Sequence, residues 1–89
     1  MDATQRDSLK AFLRRSPAGR AAFSIFRQVW TATHTGMTIP AVCWLLRERY
    51  PESTVVHDCT ALARMRALVW TGGKTRTKQH GYAKVWRAA

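Results

Sequence analysis

The segment of residues 51–70 constrains the fold most, because a helical pattern in it changes to a strand pattern without a linker. Apolar side chains recur on one face at helical spacing: Val55, Cys59, Leu62 and then Met65 or Arg66. Ser53 or Thr54 is the expected N-cap, since either hydroxyl can accept a hydrogen bond from a free amide of the first turn. Residues 68–71 are rich in β-branched and aromatic side chains, which favours a strand. A strand is therefore expected directly after a one-sided helix.

The opposite face of this helix is compact and polar, with His57, Thr60, Ala61 and Arg64. A helix that packs on one side and presents such a face on the other can read the major groove of DNA. An ordinary surface helix has the same pattern, so the observations for or against DNA binding have to come from the flanking segments. Asp58 is the only acid beside this face, and it opposes groove insertion unless it accepts from cytosine or pairs with Arg64.

Charge is distributed unevenly along the chain, whose formal net charge is +10. No acid follows Asp58, whereas basic residues continue to the end: Arg64, Arg66, Lys74, Arg76, Lys78, Lys84 and Arg87. An acid-free basic segment in a folded domain indicates a polyanionic partner, most often nucleic acid. The alternative is a solvated basic surface that keeps the protein soluble. A membrane partner is not expected, because these residues do not form a strongly amphipathic helix.

A length of 89 residues predicts one small domain with a single modest core. The sequence contains no signal-peptide pattern and no transmembrane span, so a cytoplasmic protein is expected, nucleoid-associated if it binds DNA. Cys43 and Cys59 lie in apolar helical patterns and are expected to be buried, reduced thiols; a structural zinc or a disulfide is the alternative. Neither cysteine has metal-ligand spacing with a histidine, so no metal or cofactor is expected.

Three helices are expected before residue 51. Residues 1–17 form a helical lead-in whose helix starts near Asp7 or Ser8 and ends before Pro17; it could cap the core, join a dimer or contact phosphate. Residues 18–89 form the main domain, which begins with a central helix over residues 19–34 with Gly36 as its left-handed stop.

Thr38 is expected to cap the third helix, which runs to about Arg49 and tolerates Pro40 in its first turn. After the strand of residues 68–71, residues 74–81 are expected to form a basic loop, and residues 82–87 alternate as a returning strand. The predicted fold is mainly α with a small β-hairpin: a short N-terminal helix, three core helices and two strands. Among the tryptophans, Trp70 and Trp86 are expected to lie opposite each other in the hairpin, and Trp30 and Trp44 in or near the core.

Several short motifs occur in the order found in a known family: Thr38-x-x-x-Val42, Ser53-Thr54-Val55-x-x-x-Cys59-x-x-Leu62-x-x-Met65, Leu68-Val69, a glycine-bounded basic loop and Lys84-Val85-Trp86. Over residues 20–87 the chain resembles winged helix-turn-helix proteins, and in particular the small ones that phages and prophages encode. The resemblance implies a helix of residues 54–66 in the major groove and a wing of residues 72–84 on the adjacent backbone or minor groove. Where the family usually has a glycine, this chain has Arg66-Ala67, so a differently shaped helix end is expected.

The candidate DNA-binding residues lie on that helix and wing: Ser53, Thr54, His57, Thr60, Arg64, Lys74, Arg76, Lys78, His80 and Lys84. Arg64 is the only residue of the polar helix face that can make a bidentate contact with guanine, a contact worth about 1–3 kcal/mol of discrimination. Exposed amides near Thr54 would suit a phosphate.

The resulting hypothesis is a sequence-specific duplex-DNA-binding protein of mobile-element origin, either a transcriptional regulator or a recombination accessory factor. A homodimer could form through residues 7–15 or the exposed side of residues 20–33. The rival hypothesis is a winged-helix protein that inhibits an acidic host protein or a nucleoprotein complex, since a fold does not fix a function. Non-specific packaging of RNA or DNA is a third.

Two other classes of function have less support in the sequence. An enzyme is not expected, because the five carboxylates form no spaced acid–base pair and no catalytic residues emerge. A stacking surface for single-stranded nucleic acid normally shows aromatic residues interleaved with basic ones. Only Tyr82, near Lys84, hints at such a surface.

Overall fold

The computed structural model describes residues 2–77 and 81–89. Its elements in chain order are α1 (Ala3–Arg15), α2 (Pro17–Thr33), β1 (Met37–Thr38), α3 (Ile39–Leu45), α4 (Glu52–Arg64), β2 (Leu68–Thr77) and β3 (Gly81–Ala88). The strands form one antiparallel sheet in the order β1–β3–β2. Within the described residues the protein is thus a mixed fold of four helices and a three-stranded sheet, compatible with the predicted helices and hairpin. The short strand β1 is an addition that the sequence does not predict.

One hydrophobic core joins the four helices to the sheet. Its buried members come from every helix and from β2, among them Phe12, Phe26, Val42, Val55, Cys59, Leu62 and Leu68. The central position expected for α2 is confirmed, since it packs against α1, α4 and β3. Phe12 of α1 is 6% exposed, so α1 contributes to the same core as the other described elements. Cys43 and Cys59 are both buried and free, as expected.

The first two helices begin earlier than predicted. Asp2 caps α1: its Oδ1 accepts from the Gln5 amide at 2.7 Å, and the Gln5 side chain accepts from the Asp2 amide at 3.0 Å. This reciprocal capping box starts the helix at Ala3, so the predicted start near Asp7 or Ser8, which rested on the apolar ridge alone, is wrong. Pro17 then opens α2 as its first residue, where a missing amide costs little.

The stop of α2 is His34 and not the predicted Gly36. His34 adopts the left-handed conformation with φ of 54°, and its amide donates to the Trp30 carbonyl at 2.8 Å. Gly36 is needed for a different reason. An ideal Cβ placed on it would lie 2.5 Å from the carbonyl oxygen of Trp86, because β1 approaches β3 closely here.

The third helix has the predicted cap but a different length. The Thr38 hydroxyl accepts from the Ala41 amide at 3.2 Å, which confirms the cap, yet α3 ends at Leu45 and not near Arg49. Trp44 is 62% exposed, so its predicted place in or near the core is wrong. It lies off the buried stripe of α3, and the guanidinium of Arg47 stacks 3.9 Å from its ring centroid.

The start of α4 also differs from the prediction. The helix begins at Glu52, so Ser53 and Thr54 lie inside the first turn and neither is the N-cap. That position belongs to Pro51, whose backbone is extended and whose carbonyl accepts from the Val55 amide at 3.1 Å. Proline fixes a φ that suits this entry, and the helix therefore starts without a capping side chain.

A Schellman motif ends α4. The Ala67 amide donates to the Leu62 carbonyl at 2.9 Å, and the Arg66 amide donates to the Ala63 carbonyl at 3.1 Å. Arg66 adopts the left-handed conformation with φ of 62°. Arg66 is one of the two residues that stand where the resembled family usually has a glycine, and its backbone adopts a conformation that favours glycine.

The hairpin is longer than predicted. Residues 74–77, expected in a loop, belong to β2, while Lys78 and His80 lie outside the described residues. Trp70 and Trp86 are directly opposed, as predicted. The next paired positions are Lys74 and Lys84, so residues 71–73 face a single residue of β3.

Hydrogen bonds from the side chains of Trp70 and Thr71 stabilise this bulge of residues 71–73. The Thr71 hydroxyl donates to the Val85 carbonyl at 2.9 Å and accepts from the Gly73 amide at 3.2 Å. The Trp70 indole donates to the Gly73 carbonyl at 2.9 Å. Gly72 has φ of 89°, a conformation that residues with a Cβ rarely adopt. The bulge separates the sheet into a part on the core and a projecting tip.

Candidate functional site

The exposed side of α4 brings together three of the predicted site residues. His57, Thr60 and Arg64 line one open depression with Ala61 and Met65. The side chain of His57 is 82% exposed. The Thr60 hydroxyl donates to the Val56 carbonyl at 2.8 Å, which leaves its oxygen free to accept from a ligand. The depression is thus a surface with donors and acceptors on a rigid helix.

Asp58 is not part of this surface, although it was expected beside it. The residue is 7% exposed, and its Oδ1 lies 3.2 Å from Nδ1 of His57. It therefore pairs with His57 and not with Arg64. With this carboxylate buried, the depression on α4 presents no acid.

Ser53 and Thr54 are exposed in the first turn of α4, apart from the residues that line the depression. Because the N-cap is a proline, no side chain caps the free amides of this turn. Glu52 is exposed in the same turn and would repel a phosphate placed there. The end of α4 that was predicted to bind phosphate thus has an acid next to it.

Three described cations of the hairpin, Lys74, Arg76 and Lys84, lie on one face of it. In an antiparallel pair, directly opposed residues point to the same side, and successive residues alternate. Lys74 opposes Lys84, and Arg76 opposes Tyr82, so all four side chains share a face. Opposed like charges destabilise a strand pair, and in the described part of the chain no carboxylate lies within ion-pair distance of these cations. The arrangement favours an external anion.

Two aromatic residues on the same face were not among the predicted site residues. Trp70, which is 42% exposed, lies under the Lys84 ammonium, 4.8 Å from the ring centroid, and Tyr82 is 69% exposed. The alternation of Tyr82, Lys84 and Trp86 was visible in the sequence. The partners of Tyr82 and Lys84 on β2 were not, because the bulge of residues 71–73 changes the register beyond Trp70 and Trp86.

The buried cysteines offer no reactive group at neutral pH. Burial, with smaller effects of Cys43 and Asp58, raises the pKa of Cys59 to about 12. Burial also raises the pKa of Cys43. Among the described residues, no three His, Cys, Asp or Glu side chains are grouped so that they could hold a metal ion. None of the described helices combines the length and apolar character needed to cross a membrane.

A scan against protein-family models gives no match to this chain, and neither the curated proteins nor the solved structures give a significant similarity.

Proposed function

We propose that this chain is a winged helix-turn-helix protein that binds duplex DNA sequence-specifically, as a transcriptional regulator or a recombination accessory factor of mobile-element origin. The observation that carries the proposal is the exposed face of α4, which combines His57, Thr60 and Arg64 with no carboxylate. Support also comes from the hairpin, whose described cations have no acidic partner.

In the proposed complex, α4 lies in the major groove. Its 13 residues span about 20 Å, and a groove about 12 Å wide admits a helix. Arg64 would donate two hydrogen bonds to guanine, while the Thr60 oxygen accepts from a base donor. Lys74, Arg76 and Lys84 would neutralise phosphates without reading sequence. Lys78 and His80, also expected on the wing, remain part of the proposal from sequence alone.

Selection from random-sequence duplex DNA, at low and near-physiological salt, tests this proposal. We expect a motif that survives the higher salt. Arg64→Ala should relax the motif at one base pair and weaken binding there by about 10- to 100-fold. Arg49→Ala removes the same charge from an exposed position after α3 and is the matched control. If the protein retains duplex DNA only at low salt, and the retained pool contains no motif, sequence-specific binding is refuted.

The anchoring role of the hairpin is tested by salt dependence. Removing one cation that neutralises a phosphate should reduce the slope of log K against log salt by about 0.9. Lys74→Ala combined with Lys84→Ala should therefore lower the slope by about 2 and leave the selected motif unchanged. An unchanged slope would show that the hairpin does not contact the duplex backbone.

A homodimer remains part of the proposal, since dimers of small DNA-binding domains bind two half-sites. An open groove on α2 and the end of α1 supports the surface expected for it, with Leu13, Phe23 and Arg27 among its lining residues. Sedimentation of the free protein and of the DNA complex should show two chains per site. One chain per bound duplex would exclude the dimer.

The rival function, inhibition of a host protein or nucleoprotein complex, is favoured by one observation. Trp44 and Leu45 of α3 are 62% and 49% exposed, beside Arg47, and Trp and Arg are enriched in protein interfaces. If this function is correct, affinity capture should recover a stoichiometric partner that Trp44→Ala releases and Lys74→Ala does not. A DNA motif combined with no such partner would decide for DNA binding.

A further inference from the structure

The structure carries a second candidate surface besides α4, on one face of the β2–β3 hairpin. Antiparallel register and strand alternation place six aromatic and basic side chains on this face, here called the aromatic–cationic strip: Trp70, Lys74, Arg76, Tyr82, Lys84 and Trp86. We propose that the aromatic–cationic strip binds single-stranded nucleic acid, with bases stacked on its exposed rings and phosphates on its cations.

The order of residues along the strip explains why its rings are available. Leu68 and Ala88, the first pair of this face, are buried in the core. The next pair, Trp70 and Trp86, is only partly buried, and Tyr82 two levels further out is 69% exposed. With a rise of about 3.3 Å per residue, the Tyr82 level lies about 13 Å beyond the tryptophan level. This face of the hairpin thus extends from the core into solvent and still carries an aromatic residue, Tyr82, at its exposed end.

The charges on the strip are placed between and beside the rings. The Lys84 ammonium lies 4.8 Å from the Trp70 centroid and 6.0 Å from the Trp86 centroid. Lys74 is opposite Lys84, and Arg76 is opposite Tyr82. A strand of nucleic acid lying along the strip could therefore place a phosphate at each cationic level while its bases contact the rings.

The other face of the hairpin is different. Ala83, Val85 and Arg87 alternate with the strip residues on β3, and the Arg87 guanidinium lies 4.9 Å from the ring of Trp30. The described hairpin cations that are exposed, Lys74 and its neighbours on the strip, therefore all belong to one side. This sidedness argues against a merely solubilising distribution of charge.

The exposed rings favour unpaired bases over a duplex. In duplex DNA the faces of the bases are stacked on each other, so a duplex can use the cations of the strip but not its rings. An unpaired strand offers both phosphate and a free π-face, and each base stacked on an aromatic side chain contributes roughly tenfold or more in affinity. The inference does not depend on duplex reading by α4, since the rings that would stack on bases take no part in that reading; the cations of the strip would serve either ligand.

The test compares two oligomers of about 12 nucleotides, a length within the usual site sizes for single strands. One is oligothymidylate, and the other is an abasic deoxyribose-phosphate chain with the same charge but no bases. Fluorescence anisotropy should give the intact protein a Kd for oligothymidylate at least about tenfold lower than for the abasic chain. Equal affinities would overturn the proposal, because charge alone would then account for binding.

Variants of the exposed tyrosine locate the effect on the strip. Tyr82→Ala should abolish most of the preference for the oligomer with bases, and Tyr82→Phe should retain it. Trp44→Ala removes an exposed tryptophan of α3 and should change nothing, and neither should Arg64→Ala. A preference that survives Tyr82→Ala, or that Arg64→Ala or Trp44→Ala removes, would overturn the proposal. Arg64→Ala should relax the duplex motif at one base pair and leave the preference for bases intact, so failure of one function is distinguishable from failure of the other.

Discussion

The left-handed residue at the end of α4 predicts that Arg66→Gly stabilises the protein. Arg66 has φ of 62°, and this conformation costs a residue with a Cβ about 1–2 kcal/mol. Glycine avoids that cost, but its larger loss of conformational entropy on folding costs about 0.5–1 kcal/mol more than that of alanine. The substitution should therefore raise the free energy of unfolding by about 0.5–1 kcal/mol net.

Chemical denaturation measures this difference directly, and thermal denaturation should show a rise in Tm of about 2–8 °C. The two backbone hydrogen bonds of the Schellman motif, from Ala67 to Leu62 and from Arg66 to Ala63, do not involve the replaced side chain. They should persist in the variant, so that its circular dichroism spectrum stays that of the wild type.

Two control variants separate the backbone effect from the loss of a charge. Arg66→Ala removes the same guanidinium but keeps a Cβ, and it should change stability by no more than about 0.5 kcal/mol. Arg64→Gly places glycine in the last residue of α4 and should cost about 1 kcal/mol. The reasoning is refuted if Arg66→Ala stabilises as much as Arg66→Gly, or if both glycine variants lose stability alike.

Three further perturbations test the packing. Gly36→Ala brings a Cβ to 2.5 Å from the Trp86 carbonyl oxygen, and urea denaturation should show a loss of about 1–3 kcal/mol. Phe12→Ala should cost about 3–5 kcal/mol in the same assay if α1 is part of the core, and less than about 1 kcal/mol if it is an appendage. Since burial raises the pKa of Cys59 from 9.0 to about 12, the unfolded thiol ionises first. The contribution of this thiol to the free energy of unfolding is complete below about pH 9 and should fall by about 1.4 kcal/mol per pH unit towards pH 12. Chemical denaturation at increasing pH measures this decrease, and Cys59→Ala should remove the part that comes from Cys59.

Periodicity predicted which helical residues are buried better than residue type did. Val55, Cys59 and Leu62 are buried as their spacing indicates, and Asp58 lies on the same stripe at the spacing of i+3 from Val55. Its charge suggested the surface, but the helical period placed it inside, next to His57. Trp44 is the opposite case, an apolar residue off the buried stripe of α3 and therefore exposed.

What the sequence did not reveal depends on contacts between distant segments. The pairing of β1 with β3 needs only two residues, Met37 and Thr38, and no local pattern marks so short a strand. The bulge of residues 71–73 moves Lys74 opposite Lys84, and this register determines which side chains share the strip. For the candidate site, the polar face of α4 was predictable, whereas the exposure of Trp70 and Tyr82 on one surface was not.

The bulge of residues 71–73 has a consequence for how this protein can diverge. Its hydrogen bonds are made within β2 and to Val85, so the pairs nearer the core, such as Leu68 with Ala88, do not depend on the tip. We therefore expect substitutions at described positions beyond the bulge to leave those pairs and the core intact. The tip is therefore a part whose side chains can be exchanged separately from the base of the hairpin, without loss of the pairs that the core needs.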